Sequence, residues 1–210
     1  MNDRMLLRGL DAVIARHTEF TGPSEDSTRE RILDAAFACA SRHGLGRTTM
    51  ADVAREARLS RQSLYRYFPS RHDLILALVL REEQTMIGIV RHAMEPHQDL
   101  QPAMTAAFAA TLRAMRAHPL LDKVLAAEPH ELLPYLTTEA NPVLELSQNV
   151  MLRITAERAP HVPEPLARRF AETCARVFTS YAITPPSDDP DTVAATLAEL
   201  FCEGLARRNV

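Results

Sequence analysis

Apolar residues recur along most of the chain at intervals of three and four, the spacing that gathers them on one face of an α-helix. The strict alternation that marks a half-buried strand is nearly absent. Leu6, Leu7, Leu10, Val13 and Ile14 predict an amphipathic helix over residues 3–17, and Thr18 to Ser27, with Gly22 and Pro23, reads as a linker. The stripe Ile32, Leu33, Ala36, Phe37 and Ala40 predicts a helix capped by Ser27 or Thr28 and ended by Gly44, because glycine enters the left-handed conformation without a steric cost. Thr48 or Thr49 then opens a short helix to about Ala57 that buries Met50, Val53 and Ala54. Arg58 and Leu59 make a turn, and Ser60 caps a helix over 61–67 that inserts Leu64 and Phe68. A long helix over 71–93 follows, with Leu74, Leu78, Val79, Ile89 and Val90 as its buried side. Further helices are expected at about 102–117, 119–127, 141–158, 163–182 and 190–207. Prolines punctuate the chain after residue 95, but none falls between Ser24 and Phe68, so that region holds short helices without interruption. The fold class is all-α.

Two short helices joined by a tight turn, the second capped by serine and polar outward, make a helix-turn-helix. Charge agrees with that reading. The net charge of −3 conceals ten arginines against five acidic residues within 28–81, a local charge of +5 on an otherwise acidic chain. A basic module points to a polyanionic partner more strongly than total charge does. On the helix 61–67, Leu64 and Phe68 face inward and leave Arg61, Gln62, Tyr65 and Arg66 outside. The N-terminal half of such a helix enters the DNA major groove, where arginine and glutamine match guanine and adenine edges. Hydroxyls and the amides at a helix start suit phosphate oxygens, which makes Thr48, Thr49 and Ser70-Arg71 phosphate-side candidates.

Other chemistry is excluded. Cys39, Cys174 and Cys202 are odd in number and widely spaced, so they form no disulfide framework, and no CxxC or HxxxH pair suggests zinc. No nucleophile motif or Gly-rich phosphate loop marks an enzyme, and no cofactor is expected. No apolar run reaches the roughly 18–20 residues that span a bilayer. The start of the chain carries Arg8, Asp11 and Arg16 within its apolar pattern, which is not the core of a secretory signal. A cytoplasmic protein without membrane contact is the expectation.

The segment "TTMADVAREARLSRQSLYRYFPSRHDLILALV", preceded by a helix and Gly44, resembles the tetracycline-repressor (TetR/AcrR) family of bacterial transcription regulators over roughly residues 28–80. The resemblance implies an N-terminal extension (1–27), a three-helix DNA-binding domain (28–72), and a helical ligand-binding and dimerisation domain (73–210). It further implies a homodimeric repressor on a palindromic operator in double-stranded DNA, released by an unidentified small-molecule effector. Carried over by position, Thr48, Thr49, Ser60, Arg61, Gln62, Ser63, Tyr65, Tyr67 and Arg71 would face DNA; Tyr67 has the alternative of packing on its neighbours. One departure stands out. The family's turn usually reads Ala-Gly-Val-Ser, whereas this chain reads Ala57-Arg58-Leu59-Ser60. If position 58 needs a positive φ, arginine there costs on the order of 1 kcal/mol relative to glycine, and a phosphate contact would offset it.

In the acidic body, methionines cluster within residues 82–158. Methionine adapts to irregular apolar space, so Met86, Val90, Met94, Met104, Phe108, Leu112, Met115, Leu125, Met151 and Leu152 are candidates to line a pocket, or else they fill the core. Gln148 and His118 are the candidate polar contacts. The last two helices carry stripes that include Phe170, Cys174, Val177, Phe178 and Tyr181, then Leu197, Leu200 and Phe201. The resemblance implies that this pair meets its copy in a four-helix dimer interface; packing within one chain is the alternative.

Overall fold

The computed structural model describes residues 23–206, and all regular structure among them is helical. The expected helix over 3–17 lies outside the described residues. Ten helices follow: α1 Pro23–His43, α2 Met50–Glu56, α3 Arg61–Tyr67, α4 Arg71–Met94, α5 Leu100–Ala117, α6 Leu121–Ala127, α7 Pro129–Leu136, α8 Asn141–Arg158, α9 Glu164–Ile183 and α10 Pro190–Ala206. Two differ from expectation. Helix α1 begins at Pro23 instead of after Ser27, since proline suits the first helical position, where its missing N–H has no partner to lose. Helix α7 was masked in the sequence by Pro129 and Pro134, yet Pro129 again opens it and Pro134 is accommodated within eight residues. No helix among the described residues is long and apolar enough to cross a membrane.

The chain forms two compact units, and the division departs from a cut at residue 72. One contains α1–α3, the first half of α4 up to Glu82, and Pro119–Ala140 with α6 and α7. The other contains Glu83–His118 and the chain from Asn141 onward.

In the first unit Ile32, Leu33, Val53, Leu64, Phe68 and Leu74 bury one another. A second cluster joins Ala40, Leu45 and Ile75 to Leu120, Val124 and Tyr135 from the α6–α7 segment. Polar contacts lock the arrangement. Gly44 sits at φ 90°, and a Cβ there would come within 2.8 Å of the Glu128 carboxylate oxygens. Glu128 Oε2 accepts from the Gly46 amide at 2.9 Å. Arg71 donates to the Thr48 carbonyl at 3.2 Å, the Leu45 carbonyl at 2.7 Å and Glu131 at 2.9 Å. Arg81 holds α4 to α1 through Asp34 at 2.7 Å.

The second unit is built around Phe108, which is 1% exposed. Its ring lies 4.8 Å from that of Phe178 and 6.0 Å from that of Phe201, the latter edge-on. Helix α10 packs mainly on α5, and α9 mainly on α8. Arg113 pairs with Asp191, while Arg116 donates to the Pro186 and Asp188 carbonyls and ties the α9–α10 loop to α5. Ile89, expected inside, is 43% exposed; it lies about 100° around α4 from Val90.

Two substitutions test this core and clamp. Phe108→Ala is expected to cost about 3–5 kcal/mol, the range for removing a buried aromatic. Arg71→Ala is expected to cost about 1–3 kcal/mol, because it leaves two carbonyls and a carboxylate without their cation. Urea unfolding monitored by circular dichroism reads both. An Arg71→Ala variant as stable as the parent would remove the clamp.

Candidate functional site

The helix-turn-helix is capped at both starts. Thr49 takes extended backbone angles before α2; its Oγ1 accepts from the Asp52 amide at 3.2 Å while Asp52 Oδ2 accepts from the Thr49 amide at 3.4 Å, a reciprocal capping box, and also from the Thr49 hydroxyl at 2.6 Å. That hydroxyl bond is also the main reason the Asp52 carboxyl stays below the ordinary aspartate range. Ser60 Oγ accepts from the Ser63 amide at 3.0 Å and lies 2.9 Å from Ser63 Oγ. The turn between them requires what the sequence left conditional: Arg58 has φ 55°, the left-handed region. Its side chain is exposed, with no hydrogen bond or ion pair among the described residues.

Helix α3 has two distinct sides. Leu64 is fully buried and Phe68 nearly so, with Arg29 stacked over the Phe68 ring at 5.1 Å. Arg61, Gln62 and Arg66 are exposed on the other side, and Tyr65 is 47% exposed. Tyr67 takes its alternative: it is half-buried against the core with Arg66 over its ring.

Two phosphate-side candidates need correction. Thr48 is 3% exposed and its hydroxyl donates to the Gly44 carbonyl at 2.8 Å, so it finishes the α1–α2 loop from inside. Arg71 is occupied by the three acceptors described above, which makes it a clamp on that loop and not a free cation. Nothing in a single sequence distinguishes an arginine aimed at carbonyls from one aimed at solvent.

The second unit holds a cavity of about 70 Å³ between the later turns of α4 and helices α5, α8 and α9. Met86, Val90, Phe108, Met115 and Met151 line it, as the methionine pattern suggested. Other candidates do not. Met94, Met104, Leu112 and Leu152 are buried in the surrounding core, and Gln148 and His118 are not on the wall. Leu125 belongs to the other unit, on α6. The wall also contains Glu83, Ser147, Cys174 and Phe178. Ser147 Oγ donates to Glu83 Oε1, and burial pushes the Glu83 carboxyl above its usual range. A glutamate three residues before a methionine offered no sequence signal, since charged helix positions are ordinarily solvated.

Alongside the first cavity lies a second of about 180 Å³, sharing the wall residues Val150 and Ile154 and edged by Arg91, Arg153 and Arg158. Among the described residues no group of histidine, cysteine and acidic side chains could hold a metal.

The expected dimer stripe is partly redirected. Phe170, Cys174, Phe178 and Leu197 are each buried within the single chain and serve the core around Phe108, as the intramolecular alternative held. Val177, Tyr181 and Phe201 are half-buried, and Leu200 is 63% exposed. Burial also raises the thiols, Cys202 to about 11, so neither Cys174 nor Cys202 is a thiolate at neutral pH.

Comparison with known proteins agrees with this architecture. Residues 32–78 match the profile of bacterial regulatory proteins of the tetR family, and residues 99–203 that of the bacterial tetracyclin repressor C-terminal domain. The HTH-type transcriptional regulator AlkX of Mycobacterium tuberculosis is 27% identical over 87% of each chain. The crystal structure of the TetR-family repressor AlkX from Dietzia sp., implicated in biodegradation of n-alkanes, is 29% identical and aligns over 84% of this chain and 97% of its own with a TM-score of 0.73. Thermus thermophilus FadR, a TetR-family repressor solved in complex with lauroyl-CoA, shares the fold at 21% identity and a TM-score of 0.60, covering 84% of this chain and 94% of its own. With profiles matched across both the reading head and half of the chain beyond it, the protein belongs to the TetR family of helix-turn-helix transcriptional repressors and is not an enzyme.

Proposed function

We propose that the protein binds operator DNA as a two-fold dimer through α3 and is released by a small, largely apolar effector. The observation that carries the DNA reading is the two-sidedness of α3, where Leu64 and Phe68 anchor a helix whose Arg61, Gln62 and Tyr65 side chains have no hydrogen-bond or ion-pair partner among the described residues. Gln62 and Arg61 have the geometry for base edges, while Thr49, Ser60, Ser63 and Tyr65 suit the backbone. Arg58 joins the backbone group: a left-handed arginine costs on the order of 1 kcal/mol relative to glycine, and a phosphate contact offsets that cost. Two copies pairing across Val177, Tyr181, Leu200 and Phe201 would match a palindromic operator.

The methionine-lined cavity supports an apolar effector, and so does the lauroyl-CoA held by a repressor of the same fold. Met86 and Val90 on its wall belong to the same helix as Leu74 and Leu78 in the core under α3. A ligand acts only if its affinity differs between the DNA-competent and released conformations, and the coupling is reciprocal. Effector affinity is therefore expected to fall when operator is present; equal affinities would refute release by this route.

Selection of bound sequences from random DNA is expected to yield a palindrome. Gln62→Ala should relax preference at one base position, a discrimination of about 1–3 kcal/mol, measured by competition with single-base operator variants. Arg58→Gly should raise thermal stability while weakening binding to all sequences, lowering the salt slope by about 0.9 per phosphate contact on each half-site. Binding that is unchanged in Arg58→Gly would remove it from the interface. Leu200→Asp should leave the circular dichroism intact and yield monomers by sedimentation; a dimer would move the interface elsewhere.

A further inference from the structure

Helices α4 and α8 are linked by side chains at two levels about three turns apart. Two contacts pin them at one offset of 64 residues: Ser147 Oγ donates to Glu83 at one end, and Arg158 Nη2 donates to the Met94 carbonyl at 3.4 Å at the other. Eleven residues separate the pins on each helix, roughly 16 Å at 1.5 Å per residue. The two cavities lie along this seam and share Val150 and Ile154. Their linings are opposite in character. The wall near Glu83 is methionine, isoleucine and phenylalanine, with a carboxyl that burial pushes above its usual range. The wall near Met94 carries Arg91, Arg153 and Arg158.

Arg158 is only partly satisfied by its contact with the Met94 carbonyl. Its side chain is 20% exposed, and its Nε is fully buried with no hydrogen-bond partner. The Glu157 carboxylate lies 3.7 Å from Nη1, outside hydrogen-bond range, and Glu157 is itself mostly solvated. Glu95, also at this cavity, is exposed and paired with His92. A buried guanidinium donor left unmatched is costly, and the accessible part of the Arg158 side chain lines the cavity of about 180 Å³. The opposite end already buries one carboxyl with a single hydroxyl partner, and its lining offers no basic side chain to a second acid.

We propose that this seam binds an amphipathic anion, with its carboxylate or phosphate head on Arg158, flanked by Arg91 and Arg153, and its alkyl chain between Val150 and Ile154 in the methionine-lined cavity. This deepens the apolar-effector reading and rests on it. A cavity of 70 Å³ is about half the volume that holds benzene in an apolar core, so the chain enters by displacing Met86, Met115 and Met151, side chains whose flexibility makes such adjustment inexpensive.

The test compares octanoate, octyl phosphate and octanol by calorimetric titration of the full-length protein. At least one anion is expected to bind about tenfold or more tightly than octanol, the scale of a charge-assisted hydrogen bond, and the better anion identifies the head group. Arg158→Gln should abolish that advantage while leaving octanol affinity within about twofold. Arg153→Gln, at a half-exposed position that tolerates substitution, should reduce the advantage severalfold and keeps the test valid if the first variant fails to fold. Anions binding no better than octanol would overturn the head-group assignment and leave the apolar cavity standing. Equal loss of anion and alcohol in a folded Arg158→Gln would make Arg158 structural and also overturn it. Absence of binding by all three would overturn the apolar effector together with it.

Discussion

A helix of seven residues does not persist alone in water, because nucleation costs more than so few hydrogen bonds return. Both helices of the reading head are of that length. Their existence depends on Val53, Leu64 and Phe68 being enclosed by α1 and the first turns of α4. The exposed face of α3 is therefore as rigid as the core behind it. A base-reading side chain benefits because its backbone is positioned before DNA arrives.

Arginine is used in three physically different ways within this unit. Arg81 bridges carboxylates on neighbouring helices, and Arg71 fastens a loop by its carbonyls. Arg58, Arg61 and Arg66 are left facing water. Composition counts all of them toward the same positive charge, yet only the last group remains available to a polyanion. The local charge of the sequence thus marked the helix-turn-helix module but counted cations that the fold itself engages.

Much of the architecture was legible because apolar spacing and capping signals agree. Ser60, Leu64 and Phe68 define α3 within a residue, while the left-handed turn at 58 stood only as a condition raised by the family resemblance. Most of the failures depend on partners far along the chain, while Thr48 is bonded only four residues back, to Gly44. Thr48 and Arg71 looked like surface groups because Gly44, Leu45 and Glu131 were not visible as their acceptors. The α9 stripe looked like an interface because a face that covers Phe108 has the same periodicity as one that covers a second subunit. Glu83 and Arg158, polar residues on helices, carried no pattern that separates a buried carboxyl or orphaned donor from a solvated one.

The loop between α1 and α2 has a consequence for how the chain is made. Gly46 is held by Glu128, 82 residues later, and Ser41 accepts from Lys123 across the same span. At about 5–20 residues per second, a ribosome takes roughly 4–16 s to supply those partners after the loop has been synthesised. During that interval the nascent reading head has its apolar core but lacks its far clamps. Its order of assembly differs from its order in the chain: the N-terminal module is first to emerge and is completed only once α6 and α7 have followed it out.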